Sequence, residues 1–192
     1  MKNLISKLIL FLIIDFLGSC NNTTTLPKPK AYLNLQYPAA TYHKIKNNCP
    51  YEFEISNNVK LTEKDNCWAT IQYPKLKATL YITYRKADNN NLNDILNEVV
   101  KFTFKHAKKA DAINDVTYED YNNKVFAKLY NVEGNVASNL QFSATDSVKN
   151  VLEGALYFYT RPNYDSILPA IKYIEKDVTH LIETLRWKNE KK

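Results

Sequence analysis

The sequence predicts an α+β fold: an antiparallel β-sheet of about five to seven strands with helices packed on both faces. Three observations predict it. Strand-like segments follow one another through short turns, which makes them antiparallel neighbours. Two stretches switch to a helical period, residues 91–110 and the run after Asp165. In VLEGALYFY both faces are apolar, with Val151, Ala155, Tyr157 and Tyr159 on one and Leu152, Leu156 and Phe158 on the other. A strand covered on both sides needs a layer above the sheet and another below it.

In chain order, the N-terminus stands outside that domain. Lys2 and Lys7 make a basic start, and Leu8 to Leu17 is mostly apolar. That stretch is too short for a bilayer, which takes roughly 20 apolar residues. Gly18, Ser19 and Cys20 follow at once. The layout is that of a secretory signal, and Leu17-Gly18-Ser19-Cys20 resembles the lipobox of bacterial lipoproteins. The resemblance implies cleavage before Cys20 and acyl chains on it, each buried CH2 contributing about 0.8 kcal/mol of anchoring. Asp15 is the discordant residue, a charge inside the apolar stretch. Residues 21–30, NNTTTLPKPK, are polar and then proline-broken, and read as a tether. The predicted organisation is a signal over 1–19, a lipidated Cys20 and tether over 20–34, one domain over 35–188 and a tail over 189–192.

Within the domain, residues 31–38 read as extended coil or a short edge strand, and 51–55 as a strand. Residues 67–73 and 77–84 are β-branched and aromatic, and Pro74-Lys75-Leu76 between them predicts a hairpin. In 91–110, Leu92, Ile95, Leu96, Val99, Val100 and Thr103 fall on one helical face, with a capping signal at Asn91 and Asp94. AINDVTYED, KVFAKLYNV, NLQFSAT and VLEGALYFYT give four more strands, with turns at Asn122-Asn123, Glu133-Gly134-Asn135 and Thr145-Asp146-Ser147. Ile167, Ile171, Ile174, Val178, Leu181 and Leu185 step by four and three into one apolar stripe. This last helix is expected to be capped by Asp165 or Ser166, to hold Pro169 in its first turn, and to close on Arg186, Trp187 and Lys188. The arrangement is in the style of the Mog1/PsbP-like sandwiches, by analogy only.

Composition narrows the chemistry. The 192-residue chain carries a net charge of +6. An export signal makes nucleic acid an unsuitable partner for that charge, and anionic lipid, an acidic partner or plain solubility fits better. Three glycines, Gly18, Gly134 and Gly154, cannot build a glycine-rich phosphate cradle. With Cys20 taken by lipid, Cys49 and Cys67 form an even pair in an oxidising compartment, which predicts a disulfide, with two buried free thiols as the alternative. No histidine lies at metal-site spacing from them, and neither a metal nor a cofactor is expected.

No catalytic set emerges. His43, His106 and His180 show no ligand spacing; His106 suits a helix end, and His180 lies off the stripe and is expected to be solvated. Ser138, Asp146 and His180 could be assembled into a triad, but no GxSxG elbow supports it. Glu52 with Glu54, and Glu119 with Asp120, read as solvated carboxylates. Residues 133–147 concentrate Asn135, Ser138, Asn139, Gln141, Ser143 and Ser147, either a polar recognition rim or a turn and strand with one wet face. Tyr157, Tyr159, Tyr164 and Tyr173 crowd the last strand and the helix entry. The candidate interaction patch is Tyr157, Tyr159, Tyr164, Asn135, Ser138 and Asn139.

The strings LPKPKAYLNLQYP, NCPYEFEI, CWATIQYPKLKATLYITYR, NNNLNDILNEVVKFTFKHAKKADAI and RPNYDSILPAIKYIEKDVTHLIETLRW resemble the gliding motility lipoprotein GldD family. The resemblance runs in order over essentially the whole chain after Cys20. It implies a membrane lipoprotein needed for gliding and for the associated type IX secretion machinery. It also implies partners among the other gliding and secretion lipoproteins, such as GldJ. Only Cys20 carries over with a mechanism, as the lipid attachment point. The expected role is a non-enzymatic assembly or stabilising factor; the alternative is a small-ligand-binding or enzymatic periplasmic module. NNTTT lacks an acidic run after the cysteine, so the domain is expected to face the periplasm, with the outer membrane favoured over the inner.

Overall fold

The computed structural model describes residues 36–88, 91–106, 109–160 and 163–188. The signal, Cys20, the tether and the tail at 189–192 lie outside the described residues. The elements run β1 (Tyr42–Lys44), β2 (Tyr51–Glu52), β3 (Glu54–Ser56), β4 (Lys60–Glu63), β5 (Ala69–Tyr73), a 3-10 turn (Pro74–Leu76) and β6 (Ala78–Lys86). They continue α1 (Leu92–His106), β7 (Ala112–Asp120), β8 (Val125–Glu133), β9 (Leu140–Thr145), β10 (Asn150–Phe158), α2 (Tyr164–Thr184) and β11 (Arg186–Trp187).

Seven strands form one sheet in the order β4-β5-β6-β10-β9-β8-β7, antiparallel throughout. Two meanders, β4 to β6 and β7 to β10, meet where β10 pairs with β6. The connection through α1 carries the chain from β6 to the far edge at β7. The predicted α+β sheet, its hairpin at Pro74-Lys75-Leu76 and its four later strands are all present. Sequence reading missed β1, β4 and β11, which are short and mostly exposed or half-buried. It also joined β2 and β3, whose partners differ: β2 pairs with β11 and β3 with β1.

Register decides which side chains share a face. Leu156 stands opposite Leu80, Leu152 opposite Ala144, and Leu129 opposite Phe142. These residues cluster with Ile174, Val178, Leu181, Ile182 and Leu185 of the chain through and just after α2. Each such side chain contributes about 1.5–3 kcal/mol when fully buried. Gly154 belongs to this face because the Phe142 ring lies where its Cβ would be. The opposite face is covered by α1, which buries Val99 and Thr103. Val100, expected on the same stripe, is 41 % exposed. The wide stripe drawn on a helical wheel is narrower in fact, because α1 touches the sheet along one line only.

The ends of α2 also differ from expectation. The N-cap residue is Asn163, whose side chain makes no capping bond. Instead the Asn135 side chain, from the β8–β9 loop, accepts a hydrogen bond from the Tyr164 N–H at 2.9 Å. The helix therefore starts before Asp165, and Pro169 falls in its second turn rather than its first. At the other end Leu185 turns extended, and Arg186 and Trp187 leave the helix to pair with β2. Arg186 still donates back to the Glu183 carbonyl at 3.1 Å, so a cation does meet the helix C-terminus.

Cys49 and Cys67 are joined in a disulfide, with Cα atoms 5.5 Å apart. It ties the loop before β2 to the β4–β5 turn, and the Tyr51 hydroxyl reinforces the tie by donating to the Cys67 carbonyl at 2.8 Å.

Candidate functional site

The face of the sheet beneath α1 holds an open groove. Along β6, alternation sends Thr79, Tyr81, Thr83 and Arg85 to this face, and along β10 it sends Val151, Glu153, Ala155 and Tyr157. Val99 and Thr103 of α1 press onto that surface, but the helix does not cover it all. The remaining space is a cavity of about 340 Å³ lined by Tyr81, Val99, Phe102, Gln141, Glu153 and Tyr157 among others.

Its rim is aromatic and exposed. Phe102 is 48 % exposed and Tyr159 62 % exposed. The tyrosines are held in place: the Tyr159 hydroxyl lies 3.1 Å from both the Thr79 and Tyr81 hydroxyls. Tyr81 meets Tyr157 edge-on, with ring centroids 5.7 Å apart. Thr79 draws the Tyr159 phenol below its ordinary pKa, with Tyr81 adding to the effect. Phe104 and Val100 are exposed too, but helical spacing puts them on the other flank of α1.

One end of the groove is ionic. Arg85 donates to Glu153 at 2.8 Å and to Glu98 of α1 at 2.6 Å. It thereby clamps the helix to β10. Burial pushes the Glu153 carboxyl up despite the opposing pull of Arg85. The guanidinium itself, which burial alone would make less basic, is held above its usual value by Glu98 and Glu153.

The structure divides the predicted patch. Tyr157 lines the groove, and Tyr159 stands beside it, its hydroxyl on Tyr81. Tyr164 opens α2, and Asn135 caps it. Ser138 and Asn139 are buried, 1 % and 3 % exposed, and do not reach the surface. Ser138 donates to the Leu140 carbonyl, and Asn139 to the carbonyls of Val132 and Gly134. A run of small polar residues looks the same in sequence whether it faces water or satisfies the backbone of a tight loop. The groove residues that sequence reasoning passed over are Tyr81, Arg85, Phe102 and Glu153. Their signal was present: Tyr81 alternates with core residues in KATLYITY, and Phe102 lies off the stripe of its helix.

The candidate catalytic side chains are occupied elsewhere. His180 is half-buried rather than freely solvated; its Nε2 lies 2.8 Å from Glu54 and its ring stacks on Tyr42. The Asp146 carboxylate accepts from the amides of Val148, Lys149 and Asn150. With Ser138 on Leu140, the conceivable triad has no shared centre. His43 pairs with Asn57, and the His106 side chain lies outside the described residues. Glu52 pairs with Lys44. Among the described residues no group of three or more His, Cys, Asp or Glu side chains is placed to hold a metal ion. Nor is any helix there long and apolar enough to cross a membrane.

The architecture is that of an α+β sandwich domain, and the candidate site is an open groove with aromatic residues along it and an ionic end. The chain belongs to the gliding motility lipoprotein GldD family, whose model matches residues 22–187. Membership makes it a gliding motility lipoprotein, a membrane protein held by lipid. A search of curated proteins finds no match.

Proposed function

We propose that this protein is a non-enzymatic assembly or stabilising factor of the gliding and type IX secretion machinery. It is held to the membrane through acylated Cys20, with its domain in the periplasm, and it docks a partner lipoprotein such as GldJ in the groove beneath α1. The observation that carries this reading is the exposure of Tyr81 and Phe102 on one cavity, with exposed Tyr159 hydrogen-bonded to Tyr81 beside it. Aromatic side chains held rigid by neighbours lose little entropy on binding and supply much of the energy of contact surfaces. The partner segment that fits is apolar, with a hydrogen-bond donor or a cation at the end that meets Glu153.

The test is the paired variant Phe102→Ala/Tyr159→Ala in cells. Its own level and circular dichroism should match the parent, while the partner lipoprotein falls on envelope immunoblots and secretion declines. Each truncated anchor is expected to cost about 2 kcal/mol of binding. Glu153→Gln abolishing secretion with fold and partner levels intact would instead favour a reaction in the groove.

A further inference from the structure

A second cavity lies on the other side of the molecule and owes nothing to the groove. Pro169, Lys172, Tyr173, Lys176 and Asp177 recur along α2 at helical spacing and share one flank. Residues 37–40 and Tyr42 of β1 lie against that flank, and the two together enclose a cavity of about 400 Å³. Its walls are stacked rings. Tyr37 stacks on Tyr173 with centroids 4.7 Å apart, and Tyr42 on His180 at 3.7 Å. Asp177 is 5 % exposed. Its Oδ1 accepts from the Tyr42 hydroxyl at 2.9 Å; the Tyr73 hydroxyl also lies against the carboxyl, yet Oδ2 makes no hydrogen bond of good geometry.

Among the described residues, three buried side-chain polar atoms make no hydrogen bond of good geometry: the Tyr37 hydroxyl, the Tyr173 hydroxyl, which has Asn58 beside it, and Asp177 Oδ2, which has Tyr73 beside it. All three belong to residues that line this one cavity. Buried polar groups are almost always partnered, and a carboxylate oxygen is the costliest to leave alone. A carboxylate can only accept, so the missing group is a donor, and an ammonium serves it best. Tyrosine rings around a carboxylate suit the same cation. The mouth has the opposite sign. Lys172 and Lys176 are exposed there, and Lys172 is held by Glu175 at 2.7 Å. A lone cation would be repelled on entry; a cation with an anion a few bonds away would be drawn in.

We propose that the cavity between α2 and residues 37–42 binds a small zwitterion, its primary ammonium on Asp177 Oδ2 and its anionic group toward Lys172 and Lys176. The headgroup of an ethanolamine phospholipid and a free amino acid share this chemistry. The inference stands whether or not the groove docks a partner.

The test is calorimetric titration of the full lipidated chain in non-ionic detergent micelles. The probes are O-phosphoethanolamine, alanine, phosphocholine and inorganic phosphate. O-phosphoethanolamine, alanine or both should bind saturably, and Asp177→Asn should weaken that binding about tenfold or more. Lys176→Gln, an exposed change that leaves the core alone, should weaken it as well. Phosphocholine, which has no N–H to donate, should bind more weakly. Binding of O-phosphoethanolamine alone identifies a lipid headgroup, and equal or tighter binding of alanine identifies an amino acid. Absence of saturable binding, binding unchanged in both variants, or phosphate or phosphocholine binding as tight as the zwitterions would overturn the proposal.

Discussion

Asp146 shows how much one carboxylate can fix. It accepts three amide hydrogen bonds across the β9–β10 turn and a fourth from the Asn150 side chain at 2.7 Å. Burial alone would raise its pKa; the Asn150, Lys149 and Val148 amides and the Asn150 side chain together hold it below the ordinary value. A carboxyl depressed in the folded state contributes stability above the unfolded value, near 3.9. That contribution is lost as pH falls through the folded value. Asp146→Ala should therefore cost about 2 kcal/mol or more at pH 7 in urea unfolding, with the deficit shrinking in acid. Asp177 has the opposite sign. Burial raises its carboxyl, against Tyr42, Tyr73 and His180, which pull it down; Lys172 and Lys176 stand at the cavity mouth. A carboxyl raised in the folded state favours folding below the unfolded value, and that advantage disappears as pH rises through the folded one. Asp177→Asn keeps an acceptor for Tyr42 and removes the buried charge. Its melting temperature should exceed the parent's at pH 7, and the difference should close below about pH 4; a lower melting temperature at pH 7 would contradict this.

At the scale of elements, packing against neighbours sets what each segment does. β10 sits in the middle of the sheet, apolar on both faces but for Glu153, and its one glycine is there for Phe142. Gly154→Ala should cost about 1–3 kcal/mol through overpacking. Adding Phe142→Leu should recover part of that loss, which equilibrium unfolding of the single and double variants would measure. α2 depends on a loop remote in sequence for its N-terminal cap, since Asn135 and Tyr164 are 29 residues apart. Asn135→Ala should destabilise by about 1 kcal/mol, a change readable in the same unfolding experiment. The disulfide spans a sequence separation of 18, and closing such a loop stabilises by about 3 kcal/mol.

For the whole molecule, the proposed reading joins the charge surplus, the tether expected at 21–30 and the groove: a lipid-held domain that we propose works by contact. Cys20→Ala is expected to abolish fatty-acid labelling and to shift the protein out of the membrane fraction while its domain folds normally. Fractionation with radiolabelled palmitate checks both points, and unchanged labelling would remove the lipoprotein assignment of Cys20. Soluble release without loss of partner protein would separate anchoring from the docking role.

Some of this was legible in the residues themselves. The sheet meander, the α2 stripe, the Cys49–Cys67 pair and the family all rest on local pattern, because strand and helix periods are written into consecutive residues. What local pattern could not decide was where polar and aromatic side chains meet. Ser138 and Asn139 looked like a rim and are loop supports. His180 looked solvated and is held by Glu54. The groove needs Tyr81 of β6, Phe102 of α1 and Tyr157 of β10 side by side, and the cavity around Asp177 needs residues 37–42 laid against α2. Those meetings join segments far apart in the chain, and sheet register and helix docking bring them together. Burial of the core, a property of the whole fold, sets that register; no single stretch of sequence contains it.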